Sequence, residues 1–106
     1  MKFGIVINTN EPETVWNAFR FGVTVLKAGH EVRMFLYGKG VESEDIKSEF
    51  DIKEQINSFC DNGGKILSCE SCLKMRHKTG SKVCLIGHQK DLLKLVEESD
   101  KVITFG

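Results

Sequence analysis

The stretch G-G-K-I-L-S-C-E-S-C-L-K-M-R, residues 63–76, is the part of the chain around which the rest is organised. Its glycines predict a tight turn, and Lys65–Leu67 is a short strand that leads into a helix beginning at Ser68 or Cys69. Cys69 and Cys72 stand at the opening of this helix, where side chains three residues apart share one face. Because a helix N-terminus favours an anion, Cys69 is predicted to have a lowered pKa and to act as a nucleophile.

Length and charge limit the class of protein. The chain has 106 residues, which predicts a single domain with one core over residues 1–106. Its 15 Lys and Arg balance 15 Asp and Glu, which argues against nucleic acid or an anionic membrane as a partner. No apolar run approaches the roughly 20 residues of a membrane span. The first residues lack a signal-peptide pattern, and we expect a cytoplasmic protein.

Short apolar runs alternate with helical patterns along the chain. Strands are predicted at 2–8, 30–37, 65–67, 82–86 and 101–105, and further helices at 13–28, 51–60 and 89–99. Residues 42–50 are predicted to be a charged, irregular surface loop with a helical turn. Strands that alternate with helices imply βαβ units, a parallel sheet and right-handed crossovers. The pattern therefore predicts a single α/β domain.

Ligands of parallel α/β sheets bind outside the carboxyl ends of the strands. Besides the two cysteines, three residues are candidates for binding at that edge: Asn8, Lys39 and His88. Lys39 is either a cation that stabilises a sulfur anion or a solvated lysine. His88 is either a base or hydrogen-bond donor to the Cys69 sulfur, or an exposed loop histidine.

The C-x-x-C spacing is open to several interpretations. A zinc site would be half complete, since structural zinc needs about four ligands. His77 and His88 could supply the rest, but no second pair of ligands has a recognisable spacing. A thioredoxin-type redox pair has this spacing, but it is expected near the start of a βαβ pattern rather than after the third strand. In a third interpretation Cys69 is a thiolate that carries sulfur and Cys72 is a neighbour that resolves it. In the last, both cysteines are merely packed under the helix.

The other two cysteines have no such placement. Cys84 lies within the apolar run V-C-L-I, and Cys60 follows Phe59 at the end of a predicted helix. Both are predicted to be small buried hydrophobic residues.

Several segments together resemble the DsrE/TusD-like (DsrE/DsrF-like) sulfur-relay family of small α/β proteins. They are the opening strand and its polar loop, A-G-H-E-V at 28–32, F-L-Y-G-K-G-V at 35–41, the stretch 63–76 and the closing V-I-T-F. The resemblance implies a three-layer α/β/α, flavodoxin-like domain with a five-stranded, mainly parallel sheet. It also implies assembly into a homotrimer or homohexamer.

The resemblance further implies a site and a function. Sulfur-relay members of the family form a persulfide on a cysteine at the start of the helix after the third strand, before a segment rich in Leu and Arg. Counting back from Arg76, that cysteine falls on Cys69, and Cys72 matches the second cysteine of a C-x-x-C subgroup. We therefore expect a sulfur carrier or sulfurtransferase-like protein that uses no cofactor or metal and exchanges sulfur with donor and acceptor proteins. The alternative is a non-enzymatic oligomeric binding or assembly module with the same fold.

Overall fold

The structure, a computed structural model, describes residues 1–106. The elements follow one another as β1 (Lys2–Ile7), α1 (Pro12–Lys27), β2 (Glu31–Leu36), a 3-10 helix (Gly38–Asp45), α2 (Ile52–Asp61), β3 (Lys65–Cys69), α3 (Glu70–Met75), β4 (Leu85–Gly87), α4 (Gln89–Glu98) and β5 (Lys101–Phe105). None of these helices is both long and apolar enough to cross a membrane.

All five strands are parallel and lie in the order β4-β3-β2-β1-β5. Ile7, at the end of β1, is paired with Leu36 of β2 and with Phe105 of β5. On the other side of β2, Cys69 of β3 is paired with Gly87 of β4. The strands therefore end together, and the residues that follow them lie along one edge of the sheet.

Helices cover both faces of the sheet. On one face α1 and α2 pack together, with the Phe59 ring against Gly22 and the Met34 side chain close by. On the other face α4 crosses the sheet, with the Leu95 side chain against Gly4. Right-handed crossovers explain the division, because the chain steps in one direction from β1 to β4 and returns past β1 to reach β5. This arrangement confirms the predicted α/β/α, flavodoxin-like fold class.

The first helix begins as its sequence indicates. The Glu11 carboxylate caps α1 by accepting hydrogen bonds from the amides of Glu13 (3.2 Å) and Thr14 (2.9 Å), and Pro12 occupies the first turn. The helix then buries Val15 and Phe19 against the sheet. The cap thus fixes the point at which the loop after β1, residues 8–11, joins α1.

The predicted bounds of two strands are wrong. Strand β3 continues to Cys69, so α3 begins at Glu70 instead of Ser68 or Cys69, because pairing with β2 and β4 extends the strand. Strand β4 covers Leu85–Gly87 instead of 82–86, because Ser81 and Cys84 close a turn in which the Ser81 amide donates to the Cys84 carbonyl (2.9 Å). The helical turn predicted within residues 42–50 is present as the end of the 3-10 helix, which extends to Asp45.

Candidate functional site

Cys69 occupies the junction of β3 and α3. It is the last residue of the strand and the residue that precedes the first turn of the helix. Its side chain is only 2% exposed, and its Sγ lies 3.4 Å from the Ser71 hydroxyl. No amide of α3 makes a full capping hydrogen bond to this sulfur, and α3 has only six residues. The surroundings of the thiol are therefore set more by neighbouring side chains than by the helix end.

Cys72 lies one helical turn further on and is half-buried. Its Sγ accepts a hydrogen bond from the Gly38 amide at 3.2 Å. Gly38 has a φ of +53°, which is in the left-handed region that favours glycine, and its backbone opens the 3-10 helix after β2. The loop Gly38–Gly40 thus supplies a hydrogen-bond donor to the second cysteine.

The two thiols have opposite pKa shifts. Burial raises the pKa of Cys69, but hydrogen bonds from the Cys72 thiol and the Ser71 hydroxyl outweigh it, and the net pKa lies below its ordinary value. For Cys72, burial and the hydrogen bond that its thiol donates to Cys69 raise the pKa. Of the two thiols, Cys69 therefore has the lower pKa and loses its proton more readily.

Arg76 connects the end of α3 to two neighbouring loops, a link that the sequence did not reveal. Its Nε donates to the Glu42 carboxylate at 2.7 Å, and its Nη1 donates to the Cys72 carbonyl at 3.0 Å. The Asn10 side chain donates to the other oxygen of Glu42 at 3.3 Å. Helix α3, which carries Cys72, is therefore held against the segments that follow β1 and β2.

A stability prediction follows from this ion pair. Hydrogen bonds from Arg76 and then Asn10 hold the pKa of Glu42 below its ordinary value of 4.5. A lowered folded-state pKa stabilises the protein above pH 4.5, and that stabilisation is lost as the pH falls through the folded pKa. At neutral pH we expect Glu42→Gln to lower the free energy of unfolding by about 1 kcal/mol, as measured by urea denaturation.

The same measurement at lower pH tests the assignment. The difference between wild type and Glu42→Gln should shrink as the pH falls below about 4, since wild-type Glu42 then becomes neutral. Glu49→Gln, which changes an exposed glutamate outside the network, is the matched control and should cost little at any pH. A wild-type advantage that stays constant down to about pH 3 would contradict the role given to the Glu42 carboxylate.

The other sequence candidates lie along the same edge with different neighbours. The Asn8 side chain lies beside Gly38, in the space where a Cβ on that glycine would stand. Lys39 is exposed to solvent. His88 precedes α4, and its ring faces two carboxylates, with Nε2 3.4 Å from Glu70 and Nδ1 3.6 Å from Asp91. The structure thus brings Cys72 and Asn8 to Gly38, while the His88 ring contacts carboxylates.

The remaining cysteines are placed differently. Cys84 is 3% exposed and Cys60 is half-buried, and burial raises the pKa of both thiols. All four cysteines are free. No three His, Cys, Asp or Glu side chains come together in a group able to hold a metal ion, so the zinc interpretation finds no set of ligands here.

These features define a class: small three-layer α/β proteins with a thiol pair at the carboxyl edge of a parallel sheet. Within that class the chain belongs to the DsrE/DsrF-like family, whose model matches residues 1–105. The family predicted from the sequence is confirmed, and membership suggests a role related to sulfur relay.

Two similar proteins carry the comparison further. The uncharacterized protein MJ0989 of Methanocaldococcus jannaschii is 33% identical over 118 aligned positions, which cover 99% of this chain and 100% of the relative. A conserved protein of unknown function, BT1422 from Bacteroides thetaiotaomicron, has a solved structure that superposes with a TM-score of 0.77 at 15% identity. That superposition covers 97% of this chain and 93% of the other, and it shows the fold alone.

Proposed function

We propose that this protein carries sulfane sulfur as a persulfide on Cys69. The observation on which the proposal rests is the hydrogen bonding of the Cys69 thiol by Cys72 and Ser71, which leaves its pKa below the ordinary value in spite of burial. A thiolate, rather than a thiol, is the attacking species in sulfur exchange. Membership of the DsrE/DsrF-like family supports the same role.

The proposed reaction has two steps. The Cys69 thiolate attacks the outer sulfur of a donor persulfide, R–S–SH, so that an S–S bond forms on Cys69 and the donor leaves as the thiolate R–S⁻. An acceptor thiolate then attacks the outer sulfur on Cys69 and takes it away, which restores the Cys69 thiolate. Each step breaks one S–S bond and forms another, so no external oxidant or reductant is needed.

The burial of Cys69 bears on how the sulfur is exchanged. At 2% exposure, the thiol is reached by a donor or acceptor only when side chains around it move. Once formed, a persulfide there would be shielded from water and from thiols in solution. Limited access of this kind suits a carrier that releases sulfur to a chosen partner. We further propose that the sulfur donor and the sulfur acceptor are proteins, and that the exchange takes place in the reducing cytoplasm.

Intact-mass spectrometry tests the proposal directly. The protein is incubated briefly with glutathione persulfide in the Cys72→Ser background, where one thiol of the pair remains. We expect Cys72→Ser to gain the mass of one sulfur atom and Cys69→Ser/Cys72→Ser to gain none. The matched control is Cys60→Ser/Cys72→Ser, which should gain sulfur as Cys72→Ser does, because Cys60 is half-buried and has a raised pKa. Equal sulfur gain with and without Cys69 would refute the carrier function.

One observation favours a second candidate function, the oligomeric binding or assembly module. Large apolar side chains are exposed on α4 and on the two outer strands: Leu85 (56%), Leu93 (57%), Val96 (47%) and Val102 (39%). Such surfaces suit subunit contacts, and a homotrimer or homohexamer is the assembly we propose. If the protein is only such a module, Cys69→Ser/Cys72→Ser should keep the wild-type mass in light scattering and wild type should load no sulfur.

A further inference from the structure

Cys72 makes two contacts, one at its sulfur and one at its backbone, that have no part in the carrier function. The Gly38 amide donates to its Sγ, and Arg76 donates to its carbonyl oxygen. Arg76 is in turn fixed by Glu42, so both the sulfur and the backbone of Cys72 are anchored. A merely packed cysteine has no need of a backbone N–H aimed at its sulfur. The arrangement keeps this thiol beside Cys69.

The spacing of the two cysteines permits a covalent bond between them. Cys69 is the residue directly before α3 and Cys72 lies in its first turn, so the two are three positions apart. A disulfide needs Cα atoms about 4.4–6.8 Å apart, a range that includes the separation across one helical turn. The Gly38 amide holds the Cys72 sulfur at 3.2 Å, and Cys69 stands at the start of the same short helix.

We propose that Cys72 discharges the Cys69 persulfide as hydrosulfide and leaves a Cys69–Cys72 disulfide, an inference that rests on the carrier function proposed above. The Cys72 thiol gives its proton to the outer sulfur while its Sγ attacks the Sγ of Cys69. The S–S bond of the persulfide breaks, HS⁻ leaves, and the new S–S bond joins the two cysteines.

The step balances in atoms and electrons. Cys69–S–S⁻ and Cys72–SH contain three sulfurs, one proton and one negative charge, and so do the disulfide and HS⁻. The outer sulfane sulfur is reduced to sulfide, and the two cysteine sulfurs are oxidised. A dithiol reductant then restores the thiol pair by exchange, and this reductant is a required co-reactant.

The surroundings of Cys72 support its role as the attacking sulfur. The Gly38 hydrogen bond and the charge of Arg76 both favour its thiolate. Once Cys69 carries the extra sulfur, the negative charge that held the Cys72 proton lies one atom further out. Burial is the largest influence on Cys60 and Cys84, and it raises the pKa of each in spite of Lys65 near the first and Ser81 near the second. Cys72 is therefore the cysteine placed to resolve the persulfide.

The lifetime of the bound sulfur tests this inference. Wild type, Cys72→Ser and Cys60→Ser are loaded with glutathione persulfide, separated from it and followed by intact mass and a hydrosulfide assay. In wild type and Cys60→Ser we expect the added sulfur mass to give way to a loss of two hydrogens, with about one hydrosulfide released per chain. In Cys72→Ser the sulfur should persist at least about tenfold longer, since it has no intramolecular attacker.

The outcomes separate the two proposals. If Cys72→Ser loads sulfur but wild type keeps it equally long and releases no hydrosulfide, the discharge step is refuted and the carrier function stands. If Cys72→Ser gains no sulfur while its circular dichroism is that of wild type, both proposals are refuted. Cys72→Ala is a second variant, because alanine cannot accept a hydrogen bond from Gly38 as serine could. It should hold its sulfur as long as Cys72→Ser does.

Discussion

Phe59→Ala is expected to lower the free energy of unfolding by about 3–5 kcal/mol, the loss typical of a buried aromatic ring. Phe59 is fully buried, and its ring meets Phe19 edge-on with centroids 5.8 Å apart. It also lies directly over Gly22 and Gly64, where no side chain stands in the way. Because glycines cannot extend into the vacated space, the cavity would remain largely open. Urea denaturation followed by far-UV circular dichroism measures the loss.

Phe21→Ala is the matched control for this substitution. Phe21 is also an aromatic residue, but its side chain is 38% exposed, and its ring has only a loose contact with Phe105 at 6.4 Å. We expect it to cost about 1 kcal/mol or less, as is usual for surface positions. Equal losses for Phe59→Ala and Phe21→Ala would show that the core collapses around the missing ring. The free energy of unfolding of a domain of this size is about 5–15 kcal/mol in total, so Phe59→Ala should leave it only marginally stable.

Gly40→Ala is expected to cost about 3 kcal/mol, at the upper end of the range for overpacked sites. A methyl group at Gly40 would lie 2.8 Å from the Ile7 carbonyl carbon and closer still to its oxygen. That oxygen cannot move freely, because it accepts a hydrogen bond from the Tyr37 amide at 2.9 Å. The clash would push the 3-10 helix away from the end of β1. It would also draw the Gly38 amide away from the Cys72 sulfur.

Gly29→Ala provides the comparison for Gly40→Ala. Gly29 has a φ of +94°, but nothing lies within 4 Å of a Cβ placed there. The substitution therefore adds backbone strain without a clash, and we expect it to cost about 1–2 kcal/mol. Denaturation midpoints of the two variants separate the effects. A Gly40→Ala loss no greater than that of Gly29→Ala would mean that the contact with Ile7 relaxes easily.

Local pattern was enough to predict the elements of the fold and the position of Cys69 where β3 ends. Alternating apolar runs predicted five strands and a parallel sheet, and the strand-end rule placed Cys69 at the carboxyl edge. Pattern was less reliable at ends that depend on partners. Ser68 and Cys69 have no local feature that makes them strand, and only pairing with β2 and β4 extends β3 to include them.

The contacts that define the site were out of reach of the sequence. Gly38 and Cys72 are 34 positions apart, and so are Glu42 and Arg76. No spacing rule links residues so distant, and a glycine amide has no signature in the sequence. The pKa of Cys69 is lowered as predicted, but side-chain hydrogen bonds from Cys72 and Ser71 contribute more than the amides of the short α3. The argument from the helix N-terminus thus predicted the right direction of the pKa shift, although the side-chain hydrogen bonds are the larger cause.

The position of β5 beside β1 has a consequence for how fast the protein folds. The Lys2 amide donates to the Asp100 carboxylate, 98 positions away, and β5 then pairs with β1 as far as Phe105. Closing so long a loop costs entropy before any contact compensates for it. We therefore expect refolding in milliseconds to seconds rather than microseconds. On the ribosome, β1 must wait with one edge unpaired until residues 101–105 emerge.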